Sequence, residues 1–146
     1  HQVVQTHLNL VFNIDNETKE IYATLNLFYK CLDEVSYIVL DSNELIIKEV
    51  LNEELKKLNF FTTSINNAPN DIGLAFVIML KIDNSKCIKD EEGFFHIKYQ
   101  VSNKAVGIQF HSKDLLNNKN INMFSTKGEA INARSYIPCQ DTPSVK

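Results

Sequence analysis

Apolar and polar residues alternate from Thr6 to Asp15, where Leu8, Leu10, Phe12 and Ile14 interleave with His7, Asn9 and Asn13. A period of two places the four apolar side chains on one face of a β-strand. Asp15-Asn16-Glu17-Thr18-Lys19 then supplies turn chemistry, and Glu20 to Lys30 alternates again, with Ile21, Ala23, Leu25, Leu27 and Tyr29 on one side. Together they predict a β-hairpin. Val35 to Leu40 and Leu45 to Leu51 are short apolar runs rich in β-branched residues, set either side of Asp41-Ser42-Asn43-Glu44, and read as strands. Ile72 to Ile82 is apolar nearly throughout, and Phe95, Ile97, Tyr99 and Val101 alternate with His96, Lys98 and Gln100. Only Glu53 to Leu58 has passable helical composition, and it is too short to hold as a helix by itself. Strands separated by polar turns indicate an all-β fold, a curved open sheet or β-sandwich.

A chain of 146 residues without a Gly/Ser linker, a charge-rich linker or an internal period reads as one domain, 1–146. Its 17 asparagines are densest at Asn66-Asn67 and Asn117-Asn118, where loops are expected. The formal charge of −3 argues against duplex DNA or an anionic membrane as partner. The basic features Lys56-Lys57 and Lys113 to Lys119 are interrupted by acids or asparagines, so no nucleic-acid partner is expected. No apolar stretch approaches the roughly 20 residues that span a bilayer, so no membrane association is expected. The chain opens at His1 with neither an initiator Met nor a basic-then-apolar leader, which suggests an excised fragment or a processed product. Cys31, Cys87 and Cys139 are odd in number and widely spaced. They suggest neither a zinc knuckle nor a disulfide framework, and a reducing, cytoplasmic location is the simplest context. Asn16-Glu17-Thr18 fits the glycosylation pattern but is read as a turn.

The residue types that carry chemistry are dispersed. His1, His7, His96 and His111 form no His-x-x-x-His pair, and His7 and His96 fall on the polar faces of predicted strands as solvated side chains. There is no G-x-S-x-G elbow, P-loop or dinucleotide fingerprint. Asp90, Glu91 and Glu92 precede Gly93 and a strand; neighbouring residues of an extended chain point to opposite sides, so a solvated turn is expected there rather than a catalytic pair. No catalytic residue and no metal ligand is expected within this chain.

The C-terminal segment is more specific. Gly128-Glu129-Ala130-Ile131-Asn132-Ala133-Arg134-Ser135, followed by Ile137-Pro138-Cys139-Gln140-Asp141-Thr142-Pro143-Ser144, resembles the end of the N-terminal β-domain of M1-type zinc aminopeptidases, in the branch of leukotriene A4 hydrolase and aminopeptidase B. Weaker similarity runs upstream, through Thr6 to Leu10, Ile38 to Asp41 and Leu45 to Val50. The resemblance implies a saddle-like N-terminal domain whose loop, Lys127-Gly128-Glu129-Ala130, projects into the cleft of a following catalytic domain. There Glu129 would contact the free α-amino group of a peptide substrate, with Lys127, Gly128 and Ala130 beside it. Lys127 stands where the family usually has glutamine. An amide donates and accepts, whereas an ammonium only donates and adds a charge.

The resemblance also implies a cis peptide between Glu129 and Ala130, and zinc in the parent enzyme with ligands that this chain does not contain. The fragment alone is therefore expected to be inactive. Arg134 and Asp141 are expected to hold the Pro138 and Pro143 turns, and Cys139 to be a buried structural thiol. The leading reading is the N-terminal substrate-recognition domain of a zinc-dependent metallo-aminopeptidase. Its alternatives are a bifunctional leukotriene A4 hydrolase-like epoxide hydrolase and aminopeptidase, or a non-catalytic β-sandwich binding module.

Overall fold

The computed structural model describes residues 2–15, 17–65, 73–83, 85–111, 123–142 and 144–145. Within them the chain forms strands β1 (Val3–Ile14), β2 (Ile21–Cys31), β3 (Tyr37–Ser42), β4 (Leu45–Leu51), β5 (Phe60–Ser64), β6 (Leu74–Met79), β7 (Glu92–Val101), β8 (Ile108–His111) and β9 (Met123–Thr126), then a single 3-10 turn at Ala133–Ser135. His1, Asn16, Asn66-Asn67, Ile72, the whole run from Lys113 to Lys119 with Asn117-Asn118, Pro143 and Lys146 lie outside the described residues.

The expected hairpin is present, with Leu10 opposite Leu25, Phe12 opposite Ala23 and Ile14 opposite Ile21. Its turn is held by the Asp15 carboxylate, which accepts the N–H groups of Glu17 at 2.9 Å and Thr18 at 3.1 Å. Those two bonds favour the ionised form and hold the Asp15 carboxyl below its usual range. β2 pairs in turn with β7, Leu25 opposite Ile97 and Leu27 opposite Phe95, giving an antiparallel sheet ordered β1-β2-β7-β4. A second antiparallel sheet is ordered β3-β6-β5, and among the described residues β8 pairs only with β9.

The inward rows of the two larger sheets make one core. Ala23, Leu25, Leu27, Phe95, Ile97 and Tyr99 from the first sheet cluster with Ile38, Leu40, Phe76 and Ile78 from the second. This is sheet-on-sheet packing, produced by the alternation along β2, β3 and β7 and by the continuous buried run Phe76 to Ile78 of β6. The outward row of the first sheet mixes polar and aromatic side chains where β1, β2 and β7 adjoin, with Phe28 between His7 and Phe94. There His7 Nε2 meets Asn9 Oδ1 at 2.8 Å, and His96 Nδ1 meets Asn26 Oδ1 at 2.6 Å.

Several boundaries differ from the sequence reading. Val35 is not in β3 but makes an isolated bridge with Cys87. β6 stops at Met79, short of the expected Ile82, although the Leu80 N–H still donates in register to the Ser36 carbonyl at 2.9 Å. Asn52 Oδ1 accepts the N–H groups of Glu54 and Lys56, with Leu55 in the left-handed region at φ 60°, so 52–56 is a capped turn.

The larger correction concerns the cysteines. Cys31 and Cys87 are joined in a disulfide, with Cα atoms 6.5 Å apart and a sequence separation of 56. The fold lays the loop before β7 against the end of β2, where Cys31 N–H donates to Glu91 O at 2.9 Å and Asp90 N–H to Cys31 O at 2.7 Å. Proximity across 56 residues is a product of topology and leaves no trace in spacing. With two of its three cysteines paired, the chain does not carry the set of unpaired thiols expected of a reducing compartment. Cys139 is the free, buried thiol that was expected, and burial, reinforced by Asp141 and Asp41, pushes its pKa up to about 12.

Candidate functional site

The segment singled out in the sequence lies at the base of the β8–β9 hairpin, where Ile108 faces Thr126 and Phe110 faces Phe124. The hairpin rests on the turn end of the first sheet: Phe124 meets Phe12 edge-on with ring centroids 6.4 Å apart, and Lys19 Nζ lies 5.9 Å from the centre of the Phe110 ring. Lys127 extends β9 by one bond, its N–H donating to the Gly107 carbonyl at 2.8 Å. Gly107 admits no side chain, since a Cβ there would sit 2.6 Å from Ser135 Oγ and 2.7 Å from the Asn132 carbonyl. Its N–H donates to Ser135 Oγ at 2.9 Å, and that hydroxyl donates to Asn132 O at 2.7 Å.

Lys127, Gly128, Glu129 and Ala130 thus form a short tongue between β9 and the 3-10 turn. Asn132 grips it twice: its backbone N–H donates to Gly128 O at 2.9 Å, and its side-chain amide donates to Glu129 O at 2.5 Å. The Glu129–Ala130 peptide is cis, the geometry that the resemblance implies. Gly128 lies against the domain itself, because a Cβ at that position would come within 3.1 Å of Tyr136 Oη. Lys127, Glu129 and Ala130 are exposed. Among the described residues neither Lys127 nor Glu129 has an ion-pair partner.

Beneath the tongue the chain is anchored by charge. Arg134, whose side chain is 8% exposed, places Nη1 at 3.3 Å from Asp41 Oδ1 and Nε at 3.1 Å from Asp141 Oδ2, and donates from Nη2 to the Asp141 carbonyl at 3.0 Å. Asp141 N–H donates to Asp41 Oδ2 at 3.0 Å, and Asp41 N–H to Cys139 O at 2.7 Å. Arg134 and Asp141 are structural, as expected, while Asp41 is a partner that no local pattern announced. Gln140 adds a reciprocal pair with Gln5: Gln5 N–H donates to Gln140 Oε1 at 2.8 Å, and Gln140 N–H to Gln5 Oε1 at 2.7 Å. Tyr99 Oη donates to Tyr136 O at 2.8 Å, tying the 3-10 turn to the centre of β7.

Sequence reasoning located the tongue but missed Asn132 as its support. The signal was present: an amide three residues after an exposed loop residue has the reach to bond back to the backbone. The two histidines assigned to polar faces differ, His7 being exposed and His96 partly covered beside Asn26. Among the described residues no group of three or more His, Cys, Asp and Glu is gathered as a metal ion requires, so the chain's own described side chains do not fit zinc. No described helix is long and apolar enough to cross a membrane.

The model of the peptidase M1 N-terminal domain family matches residues 4–146. The chain is 29% identical over 143 residues to leukotriene A-4 hydrolase of Xenopus laevis, covering 96% of this chain and 22% of that protein. It is 32% identical over 146 residues to leucine aminopeptidase 2 of Candida albicans, covering 96% and 20%. Native yeast LTA4 hydrolase superposes over 99% of this chain and 22% of its own, with a TM-score of 0.80 and 25% identity. An M1 zinc metallopeptidase of Deinococcus radiodurans shares the fold at a TM-score of 0.67 and 13% identity, over 99% of this chain and 30% of its own. This chain spans about a fifth of the length of the curated relatives it matches. From the saddle of two packed sheets to the tongue held on Asn132, the chain belongs to the peptidase M1 N-terminal domain family.

Proposed function

We propose that this chain is the N-terminal substrate-recognition domain of a zinc-dependent metallo-aminopeptidase, and that Glu129 reads the free amino terminus of the peptide. The observation that carries the reading is an exposed carboxylate without an ion-pair partner among the described residues, on a tongue whose backbone is fixed by Asn132 and the Ala133–Ser135 turn. A carboxylate facing an ammonium in a partly dry cleft makes a charge-assisted hydrogen bond worth about 1.5–3 kcal/mol. An internal peptide bond carries no cation, so a site that requires one accepts chain ends only. Lys127, Gly128 and Ala130 complete the surface that the substrate meets.

The zinc ion and the residues that hold it are assigned to the catalytic domain that follows in the parent, and no step is carried by this chain alone. Likeness to leukotriene A-4 hydrolase favours a second reading, an enzyme that also opens a fatty epoxide. In the branch this chain resembles, epoxide hydrolysis goes with an amide where this chain has Glu129, which favours the dedicated aminopeptidase.

The Cys31–Cys87 pairing bears on the compartment, and alkylation followed by peptide mapping of the unfolded, unreduced protein from its native source reads it: Cys31 and Cys87 protected from alkylation argue for an oxidising compartment, and both alkylated argue for the cytoplasm.

The assigned role of Glu129 is tested in the full-length parent with Glu129→Gln. The value of kcat/KM for free-amine peptides is expected to fall about tenfold or more, while affinity for ligands lacking the amine changes little. Equal loss on both removes the role.

A further inference from the structure

The charges on the tongue carry a second message. Lys127 and Glu129 are both exposed and separated only by Gly128, yet they form no ion pair with each other or with another described residue. Lys127 is held in place by its ladder bond to Gly107 and Glu129 by the Asn132 amide. The chain therefore carries an exposed acid and an exposed ammonium two residues apart on backbone fastened by hydrogen bonds. A lone acid suffices for an α-ammonium. The neighbouring cation fits a ligand that carries a carboxylate close to its ammonium.

We propose that Lys127 is a specificity-determining residue that makes the parent favour peptides whose first residue is Asp or Glu. The inference rests on the assignment of Glu129 to the α-ammonium. In such a peptide the side-chain carboxylate lies only a few bonds from the amino group, a pair of opposite charges complementary to Glu129 and Lys127. A lysine ammonium is a compact charge with three donors on a flexible stem. It rewards a carboxylate, gives little to an aliphatic side chain and repels a first-residue Lys or Arg. Closure of the following domain over the tongue would remove water from the pair, strengthening the preference over that of an open surface ion pair.

The experiment uses the full-length parent and two tripeptide amides, Glu-Ala-Ala-amide and Gln-Ala-Ala-amide. They differ in one charge and lack the C-terminal carboxylate that Lys127 could otherwise take; Gln-Ala with a free carboxyl end is run beside them to detect that source. Turnover is measured, and so is equilibrium binding by calorimetry to chelator-treated protein, which makes the readout independent of the metal. The native protein is expected to favour the Glu peptide about tenfold, a factor equivalent to about 1.4 kcal/mol. Lys127→Gln is expected to bring the ratio close to one and Lys127→Glu to invert it, with thermal midpoints showing that each variant folds. A Glu-to-Gln ratio unchanged in Lys127→Gln overturns the inference, as does a native preference for free-carboxyl Gln-Ala over the Glu amide. Glu129→Gln separates the two assignments. If it leaves all peptides unaffected the amine reading falls, while the ratio in Lys127→Gln still decides on Lys127.

Discussion

Removing the Cys31–Cys87 bond is the perturbation whose size follows most directly from the fold. The bridge closes a loop of 56 residues that contains β3 to β6, the whole of the second sheet. In the chain-entropy treatment the closure term at 25 °C is the constant plus 1.5R times the logarithm of the loop length, about 4 kcal/mol for a loop of this size. Both sulfur-bearing residues are fully buried, so polar replacement would add its own cost; Cys31→Ala with Cys87→Ala keeps the site apolar. Other contacts hold the same loop, including the Lys81–Glu91 ion pair, the Lys86–Glu34 ion pair at 2.6 Å and the Val35–Cys87 bridge. These belong to the native state and survive the change, so the loss is expected in the denatured ensemble. Urea unfolding of the 146-residue chain measures it. With a slope of about 2 kcal/mol per molar urea, the midpoint should fall by about 2 M in the double variant. Reductant should lower the midpoint of the native chain and leave that of the double variant in place. A midpoint unmoved by both the substitutions and the reductant would mean that the bond does not form in the molecule.

Two further outcomes follow from the buried groups. Arg134→Ala strands the Asp41 and Asp141 carboxylates, which are 23% and 13% exposed, and should destabilise the chain by about 3–5 kcal/mol; a loss below about 1 kcal/mol in urea titration would show that water replaces the guanidinium freely. The Cys139 thiol is raised from 9.0 to about 12, and the Tyr99 and Tyr29 hydroxyls are also raised by burial. Stability associated with Cys139 is fully present below about pH 9 and is lost as pH rises toward 12, at about 1.4 kcal/mol per pH unit, because the unfolded chain ionises first. Cys139→Ala should flatten the fall in urea midpoint between pH 9 and 10; parallel curves for the two proteins would refute the assignment.

How far the sequence announced this molecule depends on which face of each element is covered. β1 and β2 were legible because one face is buried and the other carries His7, Asn9, Asn13 and Asn26, so composition alternates as the pleat does. β5 was not, because it is the edge of its sheet and Phe61 through Ser64 are all exposed, leaving no alternation to read. β8 and β9 are too short to show a period. The tongue was legible through its motif, from Lys127 to Ala130, whereas its fastening was not. Asn132 reaches back across a turn, Arg134 meets Asp41 from the far side of the second sheet's first strand, and Gln140 meets Gln5 across almost the whole chain. The Asn132 contact is local, whereas the Arg134 and Gln140 contacts exist only once the sandwich has closed.

That fastening bears on how the tongue can act. A carboxylate that selects a ligand by position must itself be held, since a side chain on a loose loop loses in ordering what it gains in contact. Glu129 is three residues from Asn132, whose carbonyl accepts from Ser135 Oγ; the 3-10 turn is tied through Tyr136 O to Tyr99 on β7 and through Arg134 to β3 and Asp141. The tongue is therefore continuous with both sheets. It stands at the end of the first sheet where Ile21 faces Val101, whereas Cys31 closes the opposite end of β2. Stability and recognition are consequently separable in this fold. The disulfide ties down the chain that enters the second sheet far from the tongue, and its loss lowers the population of folded molecules without moving Glu129. Arg134 anchors the chain just after the tongue, so breaking its clamp affects both the fold and the position of the Glu129 carboxylate.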